Sequence, residues 1–210
     1  MSIKLLVKKL HLEEKEYVTA EDIKKHCSPL KMNHKNAVRY LLKEKYLARI
    51  FKGIFYVKTF DELKLGRSKY SHLELVSKGM ELKGVKSWYF GLYTALKLNN
   101  LTHEHFAVDY VLNDKIFRAK PMEIAGYKFR FLKLKTGLFG FGIIENALKY
   151  SDTEKTVLDF IHVWRYNGVP EEKIIMDLSD YSSGLSKKKL LAYAKNYSKS
   201  VRKIAEKMIK

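Results

Sequence analysis

"NHKNAVRYLLKEKYLARIFKGIFYV", residues 33–57, is the stretch on which the reading of this chain turns. In its first half Ala37, Val38, Leu41 and Leu42 recur at the spacing of one buried helical stripe. At about 100° per residue, Asn33, Asn36, Tyr40 and Lys43 fall together on the opposite side, with Arg39 beside them. Asn33 also stands where an N-cap belongs, since its short side chain can accept from the first free backbone N–H groups of a helix. The second half, "ARIFKGIFYV" (48–57), reads as two short strands folded about Lys52-Gly53, with Gly53 supplying the positive φ of a tight turn. A helix with a polar, cationic outer face therefore runs straight into a cation-tipped hairpin.

Upstream, "SIKLLVKKLHLE" carries Ile3, Leu6, Val7 and Leu10 on one helical stripe. "TAEDIKKHC" follows, with Thr19 as N-cap and Asp22 three residues on. "SPLKM" ends that helix, because Pro29 lacks a donor and disfavours a helical residue before it. Helix, helix, turn, helix, hairpin within residues 1–60 is the order of a winged helix-turn-helix. The third helix of that unit fits a major groove, and its wing touches adjacent backbone or the minor groove. The expected DNA-binding residues are then Lys31, Asn33, Lys35, Asn36, Arg39, Tyr40 and Lys43, with Arg49 and Lys52 on the hairpin. Asparagine can read adenine bidentately and arginine guanine. A three-helix domain with a hairpin could instead bind protein, but a neutral interaction module would not need this polar face beside a basic hairpin.

Charge placement points the same way. The net charge is +18, with 34 Lys and 7 Arg. Residues 1–60 hold 14 basic and 6 acidic side chains, residues 61–181 hold 18 and 16, and residues 182–210 hold 9 and 1. A lysine-rich composition alone would not segregate cations at both ends, whereas a clustered basic footprint is the electrostatic mark of phosphate binding. Lys187, Lys188, Lys189 and Lys195 are the expected nonspecific phosphate contacts of the basic end. No apolar run nears the roughly 18 residues that span a bilayer. The first residues are too interrupted by lysine for a secretory signal. A cytoplasmic protein without membrane contact is expected. The single cysteine, Cys27, allows no intrachain disulfide.

Past the hairpin, "KYSHLELVSKGMEL" is expected as a connecting helix within 61–84, and residues 85–210 as a second, α+β domain. "SWYFGLYTALKLNNLT" reads as a short strand or turn and a helix ending near Asn99-Asn100. "HFAVDYVLN", "KIFRAK", "MEIAGYKFRFLKLK" and "GLFGFGIIENALKYS" are β-rich. "DTEKTVLDFIHVWRYNG" is a helix capped by Asp152 and ended by Gly168. A helix entered at Pro170 and one or two basic closing helices complete the chain.

No catalytic constellation stands out. His103 and His105 face opposite sides if their segment is extended, and a third metal ligand is not evident. "GLFGFG" lacks the Lys-Ser/Thr of a phosphate-binding loop and suits a turn packed by Phe139 and Phe141. "GRS" (66–68) and "DLSD" (177–180) do not supply the clustered carboxylates of two-metal nucleotidyl transfer. Cys27 beside His26 has no orienting partner. The expectation is a non-enzyme with no cofactor and no metal.

Three stretches carry a family resemblance. "LLKEKYLARIFKGIFYV" resembles the helix-into-wing segment of AbiEi-type antitoxins, the transcriptional regulators of abortive-infection, type IV toxin–antitoxin systems. "WYFGLYTALKLNNLT" is similar to that family's aromatic-Gly-x-x-x-Ala-Leu helix, and "FGFGIIENALKYSDTEKTVLDFIH" to its later strand and acidic-Lys-x-x-Leu-Asp helix. The resemblance implies an autoregulating repressor that binds inverted repeats in its own promoter as a monomer or weak dimer. It further implies a C-terminal domain that counters a nucleotidyltransferase-type toxin without a stable complex. An RNA-binding or ribonucleoprotein-associated protein would use the same basic ends and exposed tyrosines.

Overall fold

The computed structural model describes residues 2–182 and 184–209. It divides into two compact units, one reaching to Gly84 and including Glu123–Tyr127, the other formed by Val85–Met122 and the chain from Lys128 onward. The class is α+β.

The first unit opens with α1 (Ser2–Leu12), β1 (Tyr17–Thr19), α2 (Ala20–Cys27) and α3 (His34–Lys43). The expected stripe of α1 is inside, with Leu6, Val7 and Leu10 buried. Thr19 starts α2 with a capping box: its hydroxyl accepts from Asp22 N at 3.1 Å, and the Asp22 carboxylate accepts from Thr19 N at 2.8 Å. Then come β2 (Leu47–Phe51) and β3 (Ile54–Val57). Phe51 pairs with Ile54 across a two-residue turn, and Gly53 there has φ +81. The sheet order is β1-β3-β2, antiparallel throughout. β1 is a strand that periodicity does not reveal.

All four residues of β3 are buried, so the sheet is covered on both faces. Phe55 and Val57 join Leu6, Leu10, Ile23 and Leu41 in one core. Across the other face lies the second of two further helices, α4 (Phe60–Leu65) and α5 (His72–Leu82). Residues 61–84, expected to supply one connecting helix, thus form two. Thr59 with Glu62 and Ser71 with Glu74 make the capping boxes that start them. Gly79 lets α5 approach closely, for a Cβ there would lie 2.5 Å from Ile50 Cγ2.

The remaining elements are β4 (Trp88–Phe90), α6 (Leu92–Leu98), β5 (Val108–Asn113), β6 (Met122–Ile124), β7 (Tyr127–Lys133), β8 (Ile143–Glu145) and β9 (Lys149–Ser151). Four helices close the chain: α7 (Thr153–Tyr166), α8 (Glu171–Leu178), α9 (Lys187–Ala194) and α10 (Lys199–Met208). The strands form a mixed sheet ordered β6-β7-β5-β4-β9-β8, in which β5/β7 and β4/β9 are parallel. "KIFRAK" contributes no strand, against expectation. Asp152 caps α7 by accepting from Lys155 N at 2.9 Å, and Gly168 follows its end with φ +79. Tyr89, Leu112, Val157, Phe160, Leu190 and Ile204 belong to one continuous core. Among the described residues no helix is long and apolar enough to cross a membrane.

Candidate nucleic-acid interface

On α3, Ala37 and Leu41 are buried while Lys35, Asn36, Arg39 and Lys43 are exposed. Among the described residues these four side chains make no hydrogen bond or ion pair. The first turn of α3 contains no acid, so its positive end is not neutralised from within. Lys31 is exposed in the turn before it and adopts φ +49.

Two expected readers are placed differently. Asn33 is the N-cap of α3, its side-chain oxygen accepting from Lys35 N at 3.0 Å and Asn36 N at 3.2 Å. Bidentate reading of adenine needs that oxygen, so Asn33 positions the helix rather than reads from it. Tyr40, 41% exposed, lines an open cleft of about 480 Å³ with Ile3, Lys4, Val7, Lys8, Tyr46 and Phe60. Its ring therefore borders an apolar hollow. Lys4 and Lys8, one helical turn apart on α1, share that rim. The i, i+4 spacing in "KLLVK" was the signal that could have found them.

The hairpin is short. Ala20 N donates to Gly53 O at 2.9 Å, which carries the β1–β3 ladder up to the turn itself. Lys52 is exposed at this turn and, among the described residues, unpartnered. Arg49 is exposed on β2, its guanidinium 5.9 Å from the centroid of the Phe55 ring. Arg49 and Lys52 are the cations of the two strands and their turn.

At the basic end Lys187, Lys188 and Lys195 are exposed and, among the described residues, make no side-chain bond. Lys189 does not join them. Its ammonium lies 3.0 Å from Asp152 and 2.9 Å from Glu154. Burial works against that charge, yet hydrogen bonds to both carboxylates hold its pKa well above the ordinary lysine value. Lys207 is likewise paired, with Glu171.

A second ionic group lies out of reach of water. Lys155 and Asp159 on α7 are both fully buried. The Asp159 carboxylate accepts from Tyr89 Oη at 2.8 Å and Tyr197 Oη at 2.7 Å, and Lys155 Nζ stands 3.5 Å away. The ammonium is also 4.6 Å from the Phe141 ring centroid and 4.7 Å from that of Tyr89. Burial lowers the Lys155 pKa, with Asp159 opposing it; burial also raises both tyrosines. With no solvent access, this cluster organises a core. Among the described residues no group of three or more His, Cys, Asp or Glu side chains is placed to hold a metal ion.

No protein-family model matches the chain, and no curated protein matches it. Among solved structures, the chain is similar to the crystal structure of the RV2827C protein from Mycobacterium tuberculosis, with a TM-score of 0.60 and 14% identity. The match covers 97% of this chain and 74% of that one. At that identity the likeness concerns the fold alone.

Proposed function

We propose that the first unit is a winged helix-turn-helix that reads duplex DNA through α3, and that the chain is a transcriptional repressor. The observation that carries this reading is the row Lys35, Asn36, Arg39 and Lys43: four exposed, unpartnered side chains on one helix, two able to recognise base edges and two able to hold phosphate. The order α1, β1, α2, α3, β2, β3 and the sheet β1-β3-β2 support it, as does the short hairpin with Lys52 at its turn. Asn33 sets where α3 begins and so aims the row.

The resemblance to AbiEi-type antitoxins extends the proposal. The repressor binds its own promoter, and the C-terminal domain neutralises a nucleotidyltransferase-type toxin encoded beside it. The test has two arms. With DNA from upstream of its own gene, Asn36→Ala and Arg39→Ala each weaken binding by about 1–3 kcal/mol and relax sequence preference. Equal losses on scrambled duplex reduce both residues to phosphate contacts. In the second arm, co-expression rescues growth from the product of the adjacent gene; no rescue removes the antitoxin role while leaving the repressor.

A further inference from the structure

The basic end contains more than a run of lysines. α9 and α10 are joined by the four residues Lys195–Ser198, and both pack on α7 and on each other. Their inner positions, Leu190, Ala194, Val201, Ile204 and Ala205, are buried. With Lys189 and Lys207 neutralised by carboxylates and Lys203 attracted to Glu171, the outward cations left are Lys187, Lys188, Lys195 and Lys199, all exposed and, among the described residues, without an ion pair. Intramolecular pairing does not account for these four.

Helix stability does not account for Lys187, Lys188 and Lys199 either. The first turns of α9 and α10 contain no acid, and Lys187, Lys188 and Lys199 sit there instead. A cation at a helix N-terminus opposes the macrodipole. Around the connecting turn, Asn196, Ser198 and Ser200 are exposed beside Lys195 and Lys199; Ser198 Oγ caps α10 and keeps its own O–H to donate, and Asn196 Nδ2 spends one of its two protons on Tyr193 O. Lysine, serine and asparagine are the side chains that hold sugar-phosphate backbone. Single-stranded RNA is gripped mainly by stacking bases on exposed aromatics, and this surface has none to offer. Tyr193 is tied to Asp152 at 3.1 Å, and Tyr197 is buried against Asp159.

We infer that α9 and α10 form a second contact surface for duplex DNA, one that holds the phosphate backbone without reading sequence. The inference takes its ligand class from the reading of the first unit but uses none of that unit's residues. It is tested on the full chain by fluorescence anisotropy with a labelled duplex of scrambled sequence, between about 50 and 200 mM salt. Lys187→Glu with Lys188→Glu and Lys195→Glu lowers the slope of log affinity against log salt by about 2–3, and weakens binding at low salt at least about tenfold. Lys35→Glu with Lys43→Glu on α3 is measured alongside. Loss in the α3 variant with none in the triple variant overturns the inference and leaves the first unit's role intact. Loss only in the triple variant upholds it and overturns the α3 reading. Tighter binding of a single-stranded RNA than of the duplex, abolished by the triple variant, also overturns it. If the glutamates lower the melting temperature, the triple glutamine variant is read instead, with the same directions expected.

Discussion

Asp159 shows how much one side chain can hold in place. Its carboxylate serves three donors: Lys155 one helical turn away on α7, and Tyr89 and Tyr197 from distant parts of the chain. Asp159→Ala is expected to cost about 3–5 kcal/mol in urea denaturation, because it removes the countercharge of a buried ammonium, which keeps only Tyr197 Oη at 3.1 Å, and the acceptor of two buried hydroxyls. Lys155→Met should cost less, since its chain still packs on Phe141 and Tyr89 and both tyrosine bonds survive. The reverse order would mean that the carboxylate serves the lysine alone. Lys52 is the opposite case, one cation with no internal role. Lys52→Ala should leave stability unchanged and weaken every duplex alike, lowering the salt slope by about one unit. Unchanged binding to all duplexes would make the hairpin an ordinary turn.

At the scale of elements, the contact between α5 and β2 rests on the missing side chain of Gly79. A Cβ would stand 2.5 Å from Ile50 Cγ2 and 2.8 Å from Phe51 Cε2. Gly79→Ala gains up to about 1 kcal/mol of helix propensity but overpacks this contact at about 1–3 kcal/mol, so the melting temperature should fall. A rise would show that the sheet gives way freely there. Elements with local causes were legible in the sequence. α3 has a clear helical period, and the hairpin has a two-residue turn with glycine. β1 was not legible, because three residues cannot display a period. α4 was missed although Thr59 and Glu62 stand at capping-box spacing. The partners of Lys189 lie in the segment entering α7, far away in sequence, so its identity as an ion pair rather than a free cation depended on tertiary contact. Lys155 was equally hidden, since a lysine in a helical pattern reads as solvent-facing until the fold encloses it.

Across the whole molecule, several acids fasten the structure, among them Asp22, Glu62, Asp152, Glu154 and Asp159. Glu154 is an example. Burial alone would raise its pKa, but hydrogen bonds from Lys189 and Ser186 N hold it below the ordinary 4.5. A carboxylate depressed in the folded state contributes stability that is present above its unfolded value and is lost as pH falls through the folded one. Melting temperature should therefore be flat above about pH 5 and drop below it, and Glu154→Gln should flatten part of that drop. An unchanged acid limb in the variant would show that Lys189 gains nothing from the charge.

The central claim is that α3 reads base sequence, and enrichment from a random duplex pool tests it most directly. The wild-type chain and Arg39→Ala are each carried through repeated capture, and the bound duplexes are sequenced. The account predicts that the wild type enriches a defined motif arranged as an inverted repeat, and that Arg39→Ala enriches the same motif with its guanine preference lost at one position of each half. A wild-type pool that remains random while binding stays tight and salt-dependent would contradict it, leaving a protein that holds phosphate and reads nothing.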